Sequence, residues 1–459
     1  VAEQAAGEPF PAALELRPAG PVWLRLAAPA SKSITNRALV CAALAEGTSR
    51  LHGAQPSDDA EAMGAALADL GATIDPAPDQ AGTASHPAPG PAGFHGWTVL
   101  GSGGRLTSPD RPLDARLSGT TMRFLAAVAT LTPGGATVTG QPPLLRRPVG
   151  PLVAALRALG ADVTDAGHGL PPVTAAGGGL AGGQATVDAG ASSQFASAVL
   201  LVAPYARGSV LLRAERLGAG SYVELTAALM RDFGAAVEPV GPAAWRVEAG
   251  RPYRAADLRV EYDASAAAHL FALAAATGGS VTVTNTTPGT LQPDAALPAL
   301  LEAMGATVTR DGAAVTVRGP EALDPVDADL AAMPDQVTTV AALAALARGT
   351  SRIRGAAVSR GHETDRLAAL AAELAKLGVA VQELAGGLVV RGAGPEGLRP
   401  ARLATHGDHR MAMALAAVAA RVPGVVLEDP GCVAKTYPGF WRDLAAAGLG
   451  WRTHPGRVQ

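Results

Sequence analysis

The chain has 459 residues, a net charge of −3, 48% hydrophobic residues and 17% charged residues. At roughly 100–200 residues per domain it should hold about two to four domains, and its apolar share excludes wholesale disorder. A pI near 6.3 without a basic excess excludes a general nucleic-acid or membrane-surface binder, and two cysteines, Cys41 and Cys432, cannot make a disulfide framework or a cysteine-based zinc site.

The opening residues Val1-Ala2-Glu3-Gln4 carry no basic region followed by an apolar run, so no secretory signal is expected. No stretch reaches the roughly 20 uninterrupted apolar residues of a membrane span. The expectation is a soluble, cytoplasmic protein. Of 37 basic residues only Lys32, Lys376 and Lys435 are lysine. With so much Ala, Gly and Pro, this reads as a coding bias that converts Lys to Arg wherever either serves. A lysine that persists is then a candidate for a task needing a compact ammonium, set against chance survival.

Taken in chain order, the first dense polar run is Ser31-Lys32-Ser33-Ile34-Thr35-Asn36-Arg37, leading into an Ala/Leu helix after Pro29. Backbone N–H groups at that helix start, with Lys32, Arg37 and the hydroxyls, form either an anion cradle or a capped helix with solvated charges. The glycines of a P-loop are absent. Pro76 to Gly93 reads as a loop. Ser118-Gly119-Thr120-Thr121-Met122-Arg123 is a second helix start, and Gly119 lets a ligand approach the backbone. Leu144-Leu145-Arg146-Arg147-Pro148 sets two arginines before a Pro-started helix, either solvated or ligand-facing. Gly177 to Gly183 is another loop. Ala191-Ser192-Ser193-Gln194-Phe195 follows Asp188 and Gly190 and offers polar donors at a third helix start, for an anion or as caps.

In the second half, Pro320 to Asp327 is a loop and Met333-Pro334-Asp335 opens a helix, with capping as the bland role for Asp335. His362-Glu363-Thr364-Asp365-Arg366 packs four ionisable groups together but lacks the second His of an HExxH zinc site. His406-Gly407-Asp408-His409-Arg410 contains a His-x-x-His pair with no third soft ligand, so no metal is expected. Gly431-Cys432-Val433-Ala434-Lys435-Thr436 carries a rare lysine. Cation-rich helix starts with two carboxylates and no metal or cofactor motif suit a small polyanionic substrate.

Two glycine series run through this order. Gly71, Gly160, Gly234, Gly305, Gly378 and Gly448 each follow a helix-like segment and precede a strand candidate, the position of a left-handed helix terminator. Gly47, Gly135, Gly208, Gly279, Gly349 and Gly424 interleave with them, each between an Ala-rich helix and a strand. The reading is six copies of a two-helix, several-strand unit, with Ala-rich helices packed inside and sheets outside.

The ordered set SKSxTNR, SGTxMR, RRP, SSQF, PD, ETDR, DHRMAM and AKT, from Ala28 to Trp441, resembles the 5-enolpyruvylshikimate-3-phosphate synthase family; RGHETDRL from Arg360 to Leu367 resembles its actinobacterial form. The resemblance implies a two-domain inside-out α/β barrel, three copies per domain. One domain would comprise 1–29 plus 264–459 and the other 30–263, with the active site in a cleft that closes on substrate. It implies transfer of the enolpyruvyl group of phosphoenolpyruvate to the 5-hydroxyl of shikimate 3-phosphate with release of phosphate, by a monomer with small-molecule substrates, no cofactor, no metal, no nucleic acid and no membrane. Phosphoenolpyruvate binding is implied for Lys32, Gly119, Arg147, Gln194, Arg366, Arg410 and Lys435. Shikimate-phosphate binding is implied for Lys32, Ser33, Arg37, Ser192, Ser193, Gln194, Asp335 and His362. Asp335 would take the hydroxyl proton, and Glu363 with Lys32 would protonate C3. Two of the three lysines fall on implied binding positions.

The sequence departs from the family pattern at the pocket for the acceptor's phosphate. Ala219 and Ser221 stand where the family has Ser and Pro before the residue matched by Tyr222, Val358 replaces a polar residue before ETDR, His362 replaces Lys, and Leu117 replaces Asn. Loss of one charge-assisted contact would cost about 1.5–3 kcal/mol. The alternatives are a homologue that transfers to, or dehydrates, a non-phosphorylated shikimate-like acceptor, a UDP-N-acetylglucosamine enolpyruvyl transferase, and an inactive binding protein. The motif set disfavours the last two.

Overall fold

The computed structural model describes residues 10–18, 20–54, 56–76 and 96–454. Except for Pro76, the loop expected over Pro76 to Gly93 lies outside the described residues. The chain forms two compact units, one of Val1–Pro29 with Tyr262–Gln459 and one of Ala30–Glu261. Tyr262 and Asp263 go with the segment that follows them, because the Asp263 carboxylate caps helix Ala264–Thr277 by accepting from the Ala266 N–H at 2.9 Å.

Each unit is built from three copies of one pattern: strand, inner helix, strand, outer helix, then two strands. The middle copy of the Ala30–Glu261 unit shows it in one continuous run. Strand Leu113–Asp114 is followed by inner helix Gly119–Val128, strand Ala136–Thr139, outer helix Gly150–Ala158, and strands Asp162–Asp165 and Val173–Gly177. In every copy the four strands lie in the order first, second, fourth, third. The first two are parallel, since a helix carries the chain back over the sheet, and the last two form an antiparallel pair. The copy spanning Asp327–Asp329 to Gly387–Ala393 in the other unit repeats the arrangement.

Three sheets take a strand from elsewhere in the chain. Asp257–Arg259 pairs parallel with Glu46–His52. Trp23–Leu26 pairs with Ser280–Val283. Ala13–Arg17 lies between Val426–Glu428 and Gly450–His454. The segments near Pro29 and Glu261 thus close sheets whose other strands are far off in sequence.

The inner helices are apolar all round, which marks a helix surrounded by protein. Every residue of Gly119–Val128, Val337–Leu346 and His409–Ala419 is buried. The inner helices of each unit touch one another. The outer helices bury one stripe, as Leu367, Leu370 and Leu374 do in Arg366–Lys376. The six glycines expected to end helices all adopt left-handed φ, from 84° at Gly234 to 102° at Gly71, as a residue without Cβ permits. Among the described residues no helix is long and apolar enough to cross a membrane.

Candidate active site

Many of the polar residues singled out in the sequence, among them Lys32, Gly119, Gln194, Asp335 and Arg410, stand at or just before inner-helix N-termini, where unsatisfied N–H groups and the helix dipole favour anions. The two units carry separate clusters.

In the Ala30–Glu261 unit, Ser31 caps helix Lys32–Leu44 by accepting from Ile34 N–H. Lys32 Nζ meets the buried Asp59 carboxylate at 3.1 Å. Thr121, at the start of the next inner helix, donates to the Asp59 carbonyl at 3.3 Å. Its neighbour Thr120 accepts from Gln194 Nε2 at 3.1 Å, and Gln194 Oε1 accepts from Arg123 at 2.6 Å. Arg123 also donates to Ser192 at 3.2 Å. These contacts tie Lys32, Ser192 and Gln194 to the helix start that carries Thr120 and Thr121. Ser33 and Ser193 are half-buried at their helix starts.

Arg147 completes the cluster. A Cβ built on Gly119 would lie 2.7 Å from Arg147 Nη1, so only glycine lets that guanidinium rest on the helix start. Gly119→Ala is expected to displace Arg147 while sparing the fold, because the displaced atoms end a flexible side chain. We expect kcat/KM for the anionic substrate to fall roughly ten- to hundredfold with little change in melting temperature, measured by steady-state kinetics and calorimetry.

Arg37 faces inward. Its Nε donates to Thr226 at 2.7 Å and Nη1 to the Ser33 carbonyl at 2.8 Å, and the guanidinium lies over the Phe124 and Tyr222 rings. Burial pulls its pKa down to about 10, still a cation at neutral pH. Arg37 thereby braces the helix that carries Lys32 and Ser33 against helix Ser221–Asp232.

In the other unit, Asp335 sits in the turn Pro334–Gln336 before an inner helix, and Arg410 stands at the start of His409–Ala419. Arg366 opens outer helix Arg366–Lys376, and Lys435 ends the turn Pro430–Lys435. Arg366 is 1% exposed and donates to Asp335 at 2.7 Å, to Glu363 at 3.0 Å, and through two nitrogens to Asp408 at 2.7 and 3.2 Å. Lys435 Nζ donates to the other Glu363 oxygen at 2.9 Å. Arg410 Nη2 lies 3.1 Å from Asp335. Asp335, Glu363, Arg366, Arg410, Lys435 and His362 thus form one network, drawn from two copies of the repeat.

Burial pushes the Asp335 carboxyl up, but Arg410, His362 and Arg366 together outweigh it and hold it well below the usual carboxylate range. His362 is lowered, by burial first and then by Arg366. A neutral His362 accepts from Arg366 through Nδ1 at 2.9 Å, and its 3.3 Å approach to Asp335 becomes an ion pair only when the ring is protonated. The His-x-x-His pair has separated partners: His406 pairs with Glu373 at 2.9 Å, while His409 is buried beside Asp408.

Beneath the network, Thr339 donates to Gln336 at 2.9 Å, so it accepts from His269 Nδ1 at 3.2 Å and fixes that proton. Burial, then Arg410 and Arg366, hold His269 well below its ordinary value of 6.5, with Asp335 opposing. The unfolded chain then binds a proton at His269 before the folded chain does. Stability should fall as pH drops below 6.5, at no more than about 1.4 kcal/mol per pH unit from this group. Urea midpoints between pH 7.5 and 5.5 should show a shallower slope in His269→Asn than in the parent; equal slopes would count against this.

Sequence reasoning missed three carboxylates. Asp408 is in sequence only one letter of a motif, whereas it is fully buried against Arg366 and caps the helix bearing Arg410 by accepting from the Arg410 N–H at 2.9 Å. Asp59 resembles any acid in a helix's first turn, and Asp294 follows a proline in a short turn. Nothing local distinguishes either, since both gain meaning from partners in distant segments.

The profile of the family described as EPSP synthase (3-phosphoshikimate 1-carboxyvinyltransferase) matches residues 16–444. The chain belongs to this family. It is 40% identical over 432 residues to the 3-phosphoshikimate 1-carboxyvinyltransferase of Methanoculleus marisnigri, covering 94% of this chain and 98% of that protein. It is 38% identical to the Nostoc punctiforme enzyme of the same name, covering 92% and 95%. Among solved structures, EPSP synthase from Acinetobacter baumannii superposes with a TM-score of 0.78 at 25% identity, covering 96% and 99%. The enolpyruvyl transferase NikO from Streptomyces tendae superposes at 0.76 with 21% identity, covering 97% and 100%, and so shares the fold. Family and fold agree with the two-domain inside-out α/β arrangement of six repeats.

Proposed function

We propose that the chain transfers the enolpyruvyl group of phosphoenolpyruvate to the 5-hydroxyl of shikimate 3-phosphate and releases phosphate. Family membership supports the reaction, and the observation that carries the residue roles is the network in which Arg366 and Arg410 share Asp335 while Lys435 holds Glu363. Cations placed where an enol phosphate ester binds neutralise its carboxylate and phosphate. Carboxylates beside them stabilise positive charge at C2 and move protons.

In the proposed steps Asp335 takes the proton of the 5-hydroxyl as its oxygen bonds to C2, and Glu363 with Lys32 delivers a proton to C3. The resulting ketal phosphate loses a C3 proton and expels phosphate, leaving the enol ether. Lys32, Arg147 and Gln194 with the Gly119 backbone serve the same reaction as Arg366, Arg410 and Lys435. Ser33, Ser192, Ser193 and His362 serve the acceptor, and Arg37 serves through Ser33. The reaction needs no cofactor, and one chain supplies every residue named.

A second reading is favoured by two positions: the side chains of Ala219 and Val358 offer no hydroxyl or amide to an acceptor phosphate. The acceptor in that reading is a cyclohexene carboxylate without the 3-phosphate. Phosphate release measured with phosphoenolpyruvate and either shikimate 3-phosphate or shikimate separates the two. A strong preference for the phosphorylated acceptor sustains the first reading, turnover mainly with free shikimate the second, and release with neither ends enolpyruvyl transfer to either acceptor.

A further inference from the structure

Arg410 faces carboxylates on two sides. Asp335 lies 3.1 Å from Nη2 and Asp294 lies 3.8 Å from Nη1. The two acids differ in access: the Asp335 side chain is 22% exposed and that of Asp294 is 1%. Asp294 is held from behind. The hydroxyl of Ser265, in the first turn of helix Ala264–Thr277, donates to its Oδ2. Gln292, two residues earlier, accepts from Ala264 N–H at 3.2 Å and donates to the Tyr262 carbonyl at 2.6 Å, pinning the turn Pro293–Ala296 to the same helix start. Asp294, Asp335 and Arg410 come from the three different copies of the repeat in this unit, so one guanidinium joins all three.

We propose that Asp294 is a positioning residue for Arg410, a rear counter-ion that keeps the guanidinium aimed at the anionic substrate when that substrate displaces Asp335 from it. The inference rests on the function proposed above. An arriving carboxylate or phosphate competes with Asp335 for Nη2, the accessible side, while the buried Asp294 keeps its place at Nη1. Without that rear contact the guanidinium loses a second facing carboxylate just as Asp335 lets go, and a fork of donors binds an oxyanion well only when held in orientation. Burial raises the pKa of Asp294, only partly offset by Arg410, Ser265 and Gln336, and Asp335 adds to the rise. A purely electrostatic role predicts the opposite sign to positioning, because removing a negative charge next to Arg410 strengthens anion binding.

The test is Asp294→Asn in the full chain, with phosphoenolpyruvate titrated calorimetrically, with and without saturating acceptor, alongside steady-state kinetics. Positioning predicts a Kd and KM for phosphoenolpyruvate raised about tenfold, with the acceptor KM and kcat changed less than about threefold. An unchanged or lowered value for phosphoenolpyruvate overturns the proposal, as does an equal loss for both substrates. If Asp294→Asn fails to fold, Ser265→Ala removes only the hydroxyl that holds Asp294. It should raise the same constant about two- to threefold, and no rise overturns the proposal. Wild-type protein that binds phosphoenolpyruvate without releasing phosphate refutes the proposed reaction while leaving the Kd comparison decisive for Asp294. Wild-type turnover with an unaffected variant refutes the positioning role alone.

Discussion

Asp335→Asn should lower kcat by about 10²–10⁴, the usual contribution of a positioned acid or base, while the KM for phosphoenolpyruvate stays level or falls. The split follows from geometry. One Asp335 oxygen accepts from Arg366 at 2.7 Å and the other faces Arg410 at 3.1 Å, so in the free protein Asp335 occupies the cations assigned to the substrate. Asparagine keeps the shape, removes the charge that competes with the substrate, and cannot take a proton. With no substrate bound, the arginines and His362 hold Asp335 well below its ordinary 3.8, which makes it a weak base. Engagement of Arg366 and Arg410 by substrate anions weakens that hold and raises its basicity when the hydroxyl arrives. The same depressed pKa contributes stability above about pH 4 that is lost as pH falls through the folded value. The unfolding midpoint of Asp335→Asn should therefore depend less steeply on acid than that of the parent. A kcat within threefold of wild type would remove Asp335 from the reaction.

How legible this was varies along the chain. The repeat was readable because each copy ends its helices with a residue that tolerates left-handed φ, and Gly71 through Gly448 all adopt it. The strands Ala13–Arg17, Trp23–Leu26 and Asp257–Arg259 are not readable as members of particular sheets, because their partners lie hundreds of residues away in sequence. At the candidate site, clustered charges at helix starts point to Lys32, Arg366 and Arg410, and the rarity of lysine points to Lys435. Arg37 shared that signal, yet its guanidinium is taken up by Thr226, Ser33 and two aromatic rings; charge alone does not reveal direction. The third lysine shows the limit of the composition argument: Lys376 pairs with Glu373 at 2.5 Å, away from the Arg366 network. Asp59, Asp294 and Asp408 were silent because a buried counter-ion acquires its role only when folding brings a cation to it.

Arg366→Ala should damage both folding and binding, and the folding loss is the larger effect. The sequence alone predicts a binding defect of about 1.5–3 kcal/mol, the value of a charge-assisted contact to phosphoenolpyruvate. The structure adds that Arg366 is 1% exposed and is the shared partner of Asp335, Glu363 and Asp408. Removing one partner from a buried ion pair costs about 3–5 kcal/mol, because the remaining charge is left without compensation. Asp408 suffers most: it is fully buried and its two contacts to Arg366 form a fork. A cation at the first position of a helix is also opposed by the helix dipole, so Arg366 is held there by the carboxylates rather than by local preference. Urea unfolding should show a lowered transition for the unit that contains Arg366, and titration should show phosphoenolpyruvate binding weakened at least tenfold. Arg366→Lys should recover part of the stability, since an ammonium still neutralises Asp408, but little of the binding, since it cannot reproduce the planar fork. In a double-mutant cycle with Asp408→Asn, the two losses should couple strongly. Simple additivity would mean that the buried pair contributes to neither stability nor the aim of the clamp.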